Sequence, residues 1–181
     1  AFFILALGVS AIGAPPPVDT EKPNEQIMIK IHASQLNTEE ITAEDGRTYY
    51  KLSIPESDLL TQEEGSPQLP LIRKFIQIPA QAVDIKIKTS KKSKVIEHGN
   101  ILVYPNPKKV VKEDAEGFRY VEEEFHLNEE AYQSNQYSPS QLAVIAKDGF
   151  FRSVRILEIH IYPLQYNPND KLLKFYSTLE V

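Results

Sequence analysis

Apolar side chains recur at every second position over most of this chain, the period of a strand with one face buried. In residues 26–33 (QIMIKIHA), Ile27, Ile29 and Ile31 alternate with Met28, Lys30 and His32. In residues 47–55, Tyr50, Leu52 and Ile54 share a face, and Asp45-Gly46 just before them is a turn signal. Residues 83–90 set Val83, Ile85 and Ile87 against Asp84, Lys86 and Lys88. Residues 100–105 and 142–151 read as short apolar strands, with Asp148-Gly149 as a tight hairpin turn. The longer run 153–164 slips phase near Ile156-Leu157, which predicts a β-bulge there. Residues 171–181 alternate again, with Leu173, Phe175, Leu179 and Val181 on one side. Asn167-Pro168-Asn169-Asp170 is a polar turn, and the two runs beside it predict an antiparallel hairpin pairing 157–162 with 172–181. Helical signal is confined to Leu127–Tyr132, with Asn128 as its cap. About eight strands at this spacing predict an all-β fold: an antiparallel β-sandwich, jelly-roll or Ig-like, with at most short helical turns.

The amino end breaks the pattern. Residues 1–14 (AFFILALGVSAIGA) are an apolar run ending in small residues, and Pro15-Pro16-Pro17 follows. It is shorter than the ~20 apolar residues of a membrane span and reads as the remnant of a secretory signal peptide. Ala11, closing Val9-Ser10-Ala11, and Ala14 are its candidate cleavage sites. Residues 15–25 are a proline-rich tether. These two segments are expected to pack against nothing, which leaves 26–181 as the domain. The product is then secreted, extracellular or in the cell envelope, with no membrane contact after signal cleavage.

Composition adds exclusions. A chain of 181 residues is one domain with appendages. It contains no cysteine, hence no disulfide, thiolate metal site or cysteine nucleophile. A net charge of −5 argues against nucleic acid, because neutralising phosphates takes a basic surface. Thirteen prolines against seven glycines suit a loop-rich, helix-poor chain. The four histidines, His32, His98, His126 and His160, show no metal-ligand spacing, and no metal or cofactor is expected. Glu122-Glu123-Glu124 reads as a solvated face, since a strand sends Glu123 away from its neighbours. Lys91-Lys92-Ser93-Lys94 reads as a charged hairpin tip. No nucleophile elbow and no phosphate loop is present, so nothing marks the chain as an enzyme in its own right.

Two segments stand out. Residues 65–79 (GSPQLPLIRKFIQIP) place a turn glycine and two prolines ahead of a strand beginning near Leu71. Residues 162–168 (YPLQYNP) place Tyr166 as an aromatic plug between Pro163 and Pro168. Both are sheet-edge architecture, where a missing N–H costs nothing. Together, Gly65, Pro67, Leu69 and Pro70, then Pro163, Leu164, Gln165, Tyr166, Asn167 and Pro168, resemble the amino-terminal propeptide of gingipains, secreted bacterial cysteine endopeptidases made as zymogens. The resemblance covers residues 26–181 and is strongest in 65–105 and 138–181.

That resemblance implies a β-sandwich prodomain that helps the following catalytic domain fold and keeps it inactive. The partner is the cognate cysteine-peptidase domain, in cis and downstream, which carries the catalytic residues; this chain is then the leading fragment of a precursor. In the family a prodomain loop offers a basic side chain to the peptidase's specificity pocket. The corresponding loop here is 105–120 (PNPKKVVKEDAEGFRY), where Lys112 falls nearest the inhibitory position and Lys108, Lys109 and Arg119 are rivals. The loop is expected to project from the sandwich, with Lys112 near its outer part. A reading from a different class is a stand-alone extracellular β-sandwich that binds carbohydrate or serves adhesion. Sugar faces stack on exposed rings; Trp is absent, but Tyr49, Tyr120, Tyr132 and Tyr137 keep that reading open.

Overall fold

The computed structural model describes residues 26–93 and 95–181. The signal remnant 1–14 with Ala11 and Ala14, the tether 15–25 and Lys94 lie outside the described residues. The regular structure of the described chain is almost all antiparallel β, as the alternation predicts, but divided more finely than eight strands. In order come β1 (Lys30–His32), β2 (Asn37–Thr42), β3 (Thr48–Ser53), β4 (Leu59–Leu60), β5 (Pro70–Ile78), β6 (Ser90–Lys91), β7 (Ile96–His98), β8 (Lys108–Glu113) and β9 (Arg119–Glu124). Then follow the short helix α1 (Glu129–Gln133), β10 (Ala143–Phe151), β11 (Val154–Ile161), β12 (Leu164–Asn167), β13 (Leu172–Phe175) and β14 (Thr178–Glu180). Asn128 caps α1 as expected, its side chain accepting from the amides of Glu130 and Ala131.

Two hydrophobic cores result. Sheets β1-β14-β6 and β10-β11-β5-β4 contribute Ile31 and Leu179, and Ile72, Leu157, Ile159 and Ile161, to the first. The second gathers Leu52, Ile54, Leu69, Val103, Leu164, Tyr166, Leu173 and Phe175, from sheet β12-β13-β7, the β2–β3 hairpin and the segments beside them. The β2–β3 turn falls at Asp45-Gly46, where Gly46 takes a φ of 77° and its amide donates to the Ala43 carbonyl.

Several sequence expectations are corrected. The 157–162 and 172–181 segments are not partners. β11 pairs with β10 and β5, while β13 pairs with β12 and β7, and β14 with β1 and β6. The hairpin around Pro168 is made by Leu164–Asn167 with Leu172–Phe175 instead. Buried Pro163 separates β11 from β12 and carries the chain from one core to the other. The chain returns at Tyr176-Ser177, so Leu173 and Phe175 lie in one core and Leu179 in the other.

Asp148 and Gly149 are not a turn either. They sit inside β10, opposite Leu157 and Ile156, and the tight turn is Arg152-Ser153, with Arg152 at a φ of 56°. The bulge lies in β10 between Ile145 and Lys147, not in β11, which runs in continuous register against β5. Ile156 simply occupies the outer face. Residues 83–89 form no strand; Asp84 turns to a φ of 55°, and Ile85 and Ile87 still pack on the first core. Residues 100–105 carry only isolated bridges at Val103 and Pro105. Lys91 lies in β6, paired with β14, and β7 pairs with β13 in another sheet, so the described part of the lysine-rich run is not a hairpin tip.

Candidate functional site

The segment from Lys108 to Glu124 leaves the body as a two-stranded hairpin. β8 pairs with β9 in register from Lys108↔Glu124 to Glu113↔Arg119, and neither pairs with any other described strand. The turn is built by Asp114, whose Oδ1 accepts from the amides of Glu116 (3.0 Å) and Phe118 (2.8 Å). Gly117 supplies the left-handed residue, with a φ of 88°. Every residue of β9 is exposed, including Tyr120 and Val121, and so are Val111 and Phe118.

The cross-strand register sorts the four candidate cations onto two faces. Lys108 and Lys112 share one face with Tyr120, Glu122 and Glu124; Lys109 and Arg119 share the other with Val111, Val121 and Glu123. Lys112 stands in β8 two residues before the turn, with its Nζ 2.6 Å from Glu122 and 2.9 Å from Glu124. Those two carboxylates, Glu122 foremost, hold its pKa above the ordinary lysine value. The acidic run therefore forms a clamp, with Glu123 on the opposite face as strand geometry requires. Arg119 meets Glu113 at 3.3 Å. Lys108 and Lys109 make no ion pair with a described residue.

What holds the roots of this hairpin is the Gly65 segment. The Gly65 amide donates to the Asn106 carbonyl at 2.9 Å, and the Gly65 carbonyl accepts from the Asn128 amide at 3.1 Å. Asn106 leads into β8, and Asn128 follows β9. Gly65 thus bridges both roots, at a φ of 73° and with Asn128 N only 2.8 Å from where a Cβ would stand. Pro67 bridges Pro105, and the Gln68 amide donates to the Tyr104 carbonyl at 2.9 Å. Leu69 is buried in the second core, and Pro70 opens β5. Phe125, just past β9, packs against Tyr49 and Tyr104 with ring centroids 5.7 and 5.9 Å away.

The second motif faces inward. The Tyr166 hydroxyl donates to the Ile101 carbonyl at 2.7 Å, and burial pushes its pKa up to about 12. Gln165 Nε2 donates to the Pro139 carbonyl at 2.7 Å, while its Oε1 accepts from the Tyr176 hydroxyl at 2.6 Å. Asn167 Nδ2 donates to Asn135 and Asp170. These groups are structural; the sheet-edge placement agrees with β12 at the edge of its sheet, but the residues form a strand of their own rather than the end of the preceding one. Sequence reading missed Glu122 and Glu124 as the clamp and Asn106 and Asn128 as the clasp. Only the cross-strand register, which needs the fold, brings them together.

Other candidates fall away. Tyr49, proposed as an exposed ring, is fully buried, and its hydroxyl donates to Asp45 at 2.7 Å. Tyr132 and Tyr137 are half-buried, leaving Tyr120 as the exposed ring of the four. His160 lies 2.8 Å from Glu158, and no cluster of three metal-ligating side chains occurs among the described residues. No described helix is long and apolar enough to cross a membrane.

A protein-family model described as Propeptide_C25 matches residues 10–181. Gingipain R1 of Porphyromonas gingivalis is 28% identical over 120 residues, covering 66% of this chain and 11% of that protein. Lys-gingipain of the same organism is 29% identical over 140 residues, covering 75% of this chain and 8% of that protein. The match therefore spans only about a tenth of either relative's length. Among solved structures, the complex of Porphyromonas gingivalis RgpB pro- and mature domains superimposes with a TM-score of 0.66 at 22% identity, covering 84% of this chain and 76% of that one. A structure addressing the zymogenic latency of gingipain K from Porphyromonas gingivalis gives 0.62 at 22% identity, covering 87% and 86%.

Proposed function

The chain belongs to the Propeptide_C25 family, and we propose that it is the prodomain of a secreted, gingipain-like cysteine endopeptidase zymogen. In this reading residues 1–14 are the export signal, 15–25 the tether and 26–181 the prodomain. The catalytic domain follows in cis, and the prodomain assists its folding and holds it inactive. The chain has no cysteine, so the nucleophile belongs to that partner.

The observation that carries the inhibitory reading is the β8–β9 hairpin, which pairs with no other described strand and leaves its outer half exposed. We assign Lys112 as the side chain that enters the specificity pocket. It is the hairpin cation with a preformed pair of carboxylate partners, so docking exchanges one carboxylate environment for another. The charge is never left unpaired in a desolvated cleft, which is the costly outcome for a buried ion.

The test is inhibition of the cognate peptidase domain by this chain in trans. Truncating one partner of a buried interfacial charge pair costs roughly 2–5 kcal/mol, or about 30- to 4,000-fold in the inhibition constant. Lys112→Ala is expected to fall in that range with an unchanged melting temperature, while Lys108→Ala, Lys109→Ala and Arg119→Ala stay near the parent. Unchanged constants in all four variants would remove the hairpin from the pocket. Weakened inhibition accompanied by an equal loss of melting temperature would make Lys112 structural.

A further inference from the structure

Among the described residues, no strand pairs with the sheet β10-β11-β5-β4 on the side away from β4. Along that side runs a groove of about 860 Å³ between residues 86–91 and the start of β10. Its lysines are Lys86, Lys88 and Lys91, and no acidic residue lines it, although the whole chain carries a net charge of −5. None of the three makes an ion pair with a described residue; Lys91 instead lies 4.8 Å from the centre of the Tyr176 ring.

Both walls carry unused backbone. Among the described residues β10 pairs only with β11, which leaves the other edge of this nine-residue strand unpaired by any of them. The Leu142 carbonyl accepts from the Tyr162 amide at 2.8 Å. By the alternation of an antiparallel ladder, Ala143 and Ile145 then turn their N–H and C=O groups to the free edge. Opposite, residues 83–89 alternate like a strand but make no backbone hydrogen bond with a described residue. Ile85 and Ile87 pack on the core, which leaves Lys86 and Lys88 as the outward residues of the alternation.

We propose that this groove takes an extended acidic segment of a partner protein as an added strand on β10. Main-chain bonds to Ala143 and Ile145 supply affinity, and carboxylates on alternate residues meet Lys86, Lys88 and Lys91. The charge complementarity selects an acidic strand. The free edge selects a polypeptide over other anions, because an anionic polymer without amides uses the lysines alone. The surface is separate from the β8–β9 hairpin and does not depend on what that hairpin enters.

The experiment uses the full chain and a fluorescein-labelled peptide of roughly eight residues alternating glutamate with valine, followed by anisotropy. A strand of that length spans ~26 Å. Binding in the micromolar range is expected, with at least a tenfold loss for the double variant Lys86→Glu, Lys88→Glu. The same loss is expected for a peptide N-methylated at every second residue, which keeps the charge and removes the strand donors. Circular dichroism confirms that the variant is folded; a misfolded variant leaves the N-methylated peptide as the deciding arm. Equal binding of the N-methylated peptide overturns strand addition. Binding of heparin with no binding of the peptide makes the groove an anionic-polymer site and overturns the proposal. Dimerisation of the chain that is abolished by the lysine variant would give the groove to a second copy instead, again overturning it.

Discussion

The Pro163–Pro168 segment and the β8–β9 hairpin use their polar side chains in opposite ways. In the first, a Gln, a Tyr and an Asn turn inward, and each closes hydrogen bonds to another part of the chain: Pro139, Tyr176, Ile101, Asn135 and Asp170. Every residue of β12 is buried. In the second, the ion pairs among described residues stay within the hairpin, as those of Lys112 with Glu122 and Glu124 do, and neither strand pairs with another described strand. Buried polar groups that are fully satisfied fix one arrangement, since any alternative leaves a donor or acceptor unpaired. Exposed ion pairs are worth little and fix almost nothing. The body is thus specified by its polar side chains as well as its apolar ones. The hairpin stays an appendage whose surface is available to a partner, and an isolated two-stranded hairpin is only marginally stable.

The widest separation between the two regions should come from removing apolar volume. Leu164 is fully buried in the second core, beside Tyr166 and Leu173. Leu164→Ala should cost roughly 2–5 kcal/mol from lost transfer energy and the cavity left behind. Val111 of the hairpin is 65% exposed, and Val111→Ala should lie within about ±0.5 kcal/mol. Urea melts of both variants measure the contrast. Equal destabilisation would mean that the hairpin is integral to the cooperative unit.

Gly65 is where the two regions meet, so its substitution tests the clasp itself. A Cβ there would stand 2.8 Å from the Asn128 amide nitrogen and from His126 Cδ2, and its φ of 73° strains any side chain. The amide is backbone and cannot swing aside. Gly65→Ala should therefore cost about 1–3 kcal/mol. It should also speed amide exchange through the hairpin roots at Asn106 and Asn128 more than in β13. A loss spread evenly over both would show that Gly65 serves the body alone.

Much of the body was legible because alternation reports burial directly: Leu52 and Ile54, then Leu173 and Phe175, point inward as read. The Asn128 cap and the Asp45-Gly46 turn were legible too, since each is a local hydrogen-bonding preference written in residue type. Partner choice was not. Residues 157–162 and 172–181 both alternate, but whether they pair depends on where the chain crosses between cores, and Pro163 settles that only in three dimensions. The Arg152-Ser153 turn was hidden because arginine is not a residue that advertises a left-handed φ, whereas Asp148-Gly149 does so and yet lies within a strand. The sequence predicts a projecting loop over 105–120 with Lys112 near its outer part; the structure makes it a regular paired hairpin, with Lys112 two residues before its turn. The Lys112 clamp could not be seen, because it depends on which residue of β9 faces which residue of β8.

The smallest effect concerns an ion pair inside the body, and it asks whether every charge on this chain is as uncommitted as those of the hairpin. Arg155 donates to both oxygens of Asp148, at 2.9 and 2.6 Å, and the same guanidinium donates to the Ala80 and Ala82 carbonyls at 3.1 and 2.8 Å. It ties β10 and β11 to the stretch that follows β5. The hydrogen bonds from Arg155 hold the Asp148 carboxyl below the 3.8 ordinary for aspartate. A depressed folded-state value means that the carboxylate's contribution is complete above the unfolded value and is lost as pH falls through the folded one. Asp148→Asn should therefore lower the melting temperature by a few degrees at most at neutral pH, and the gap from the parent should close as pH drops below 3.8. Because the Asp148 end of the pair is exposed to solvent, added salt should narrow the gap as well. Melting curves across pH and salt for the two proteins decide it. A gap that stays constant through the acid range would show that Asp148 acts through shape rather than charge, and that the body, like the hairpin, takes little stability from its ion pairs.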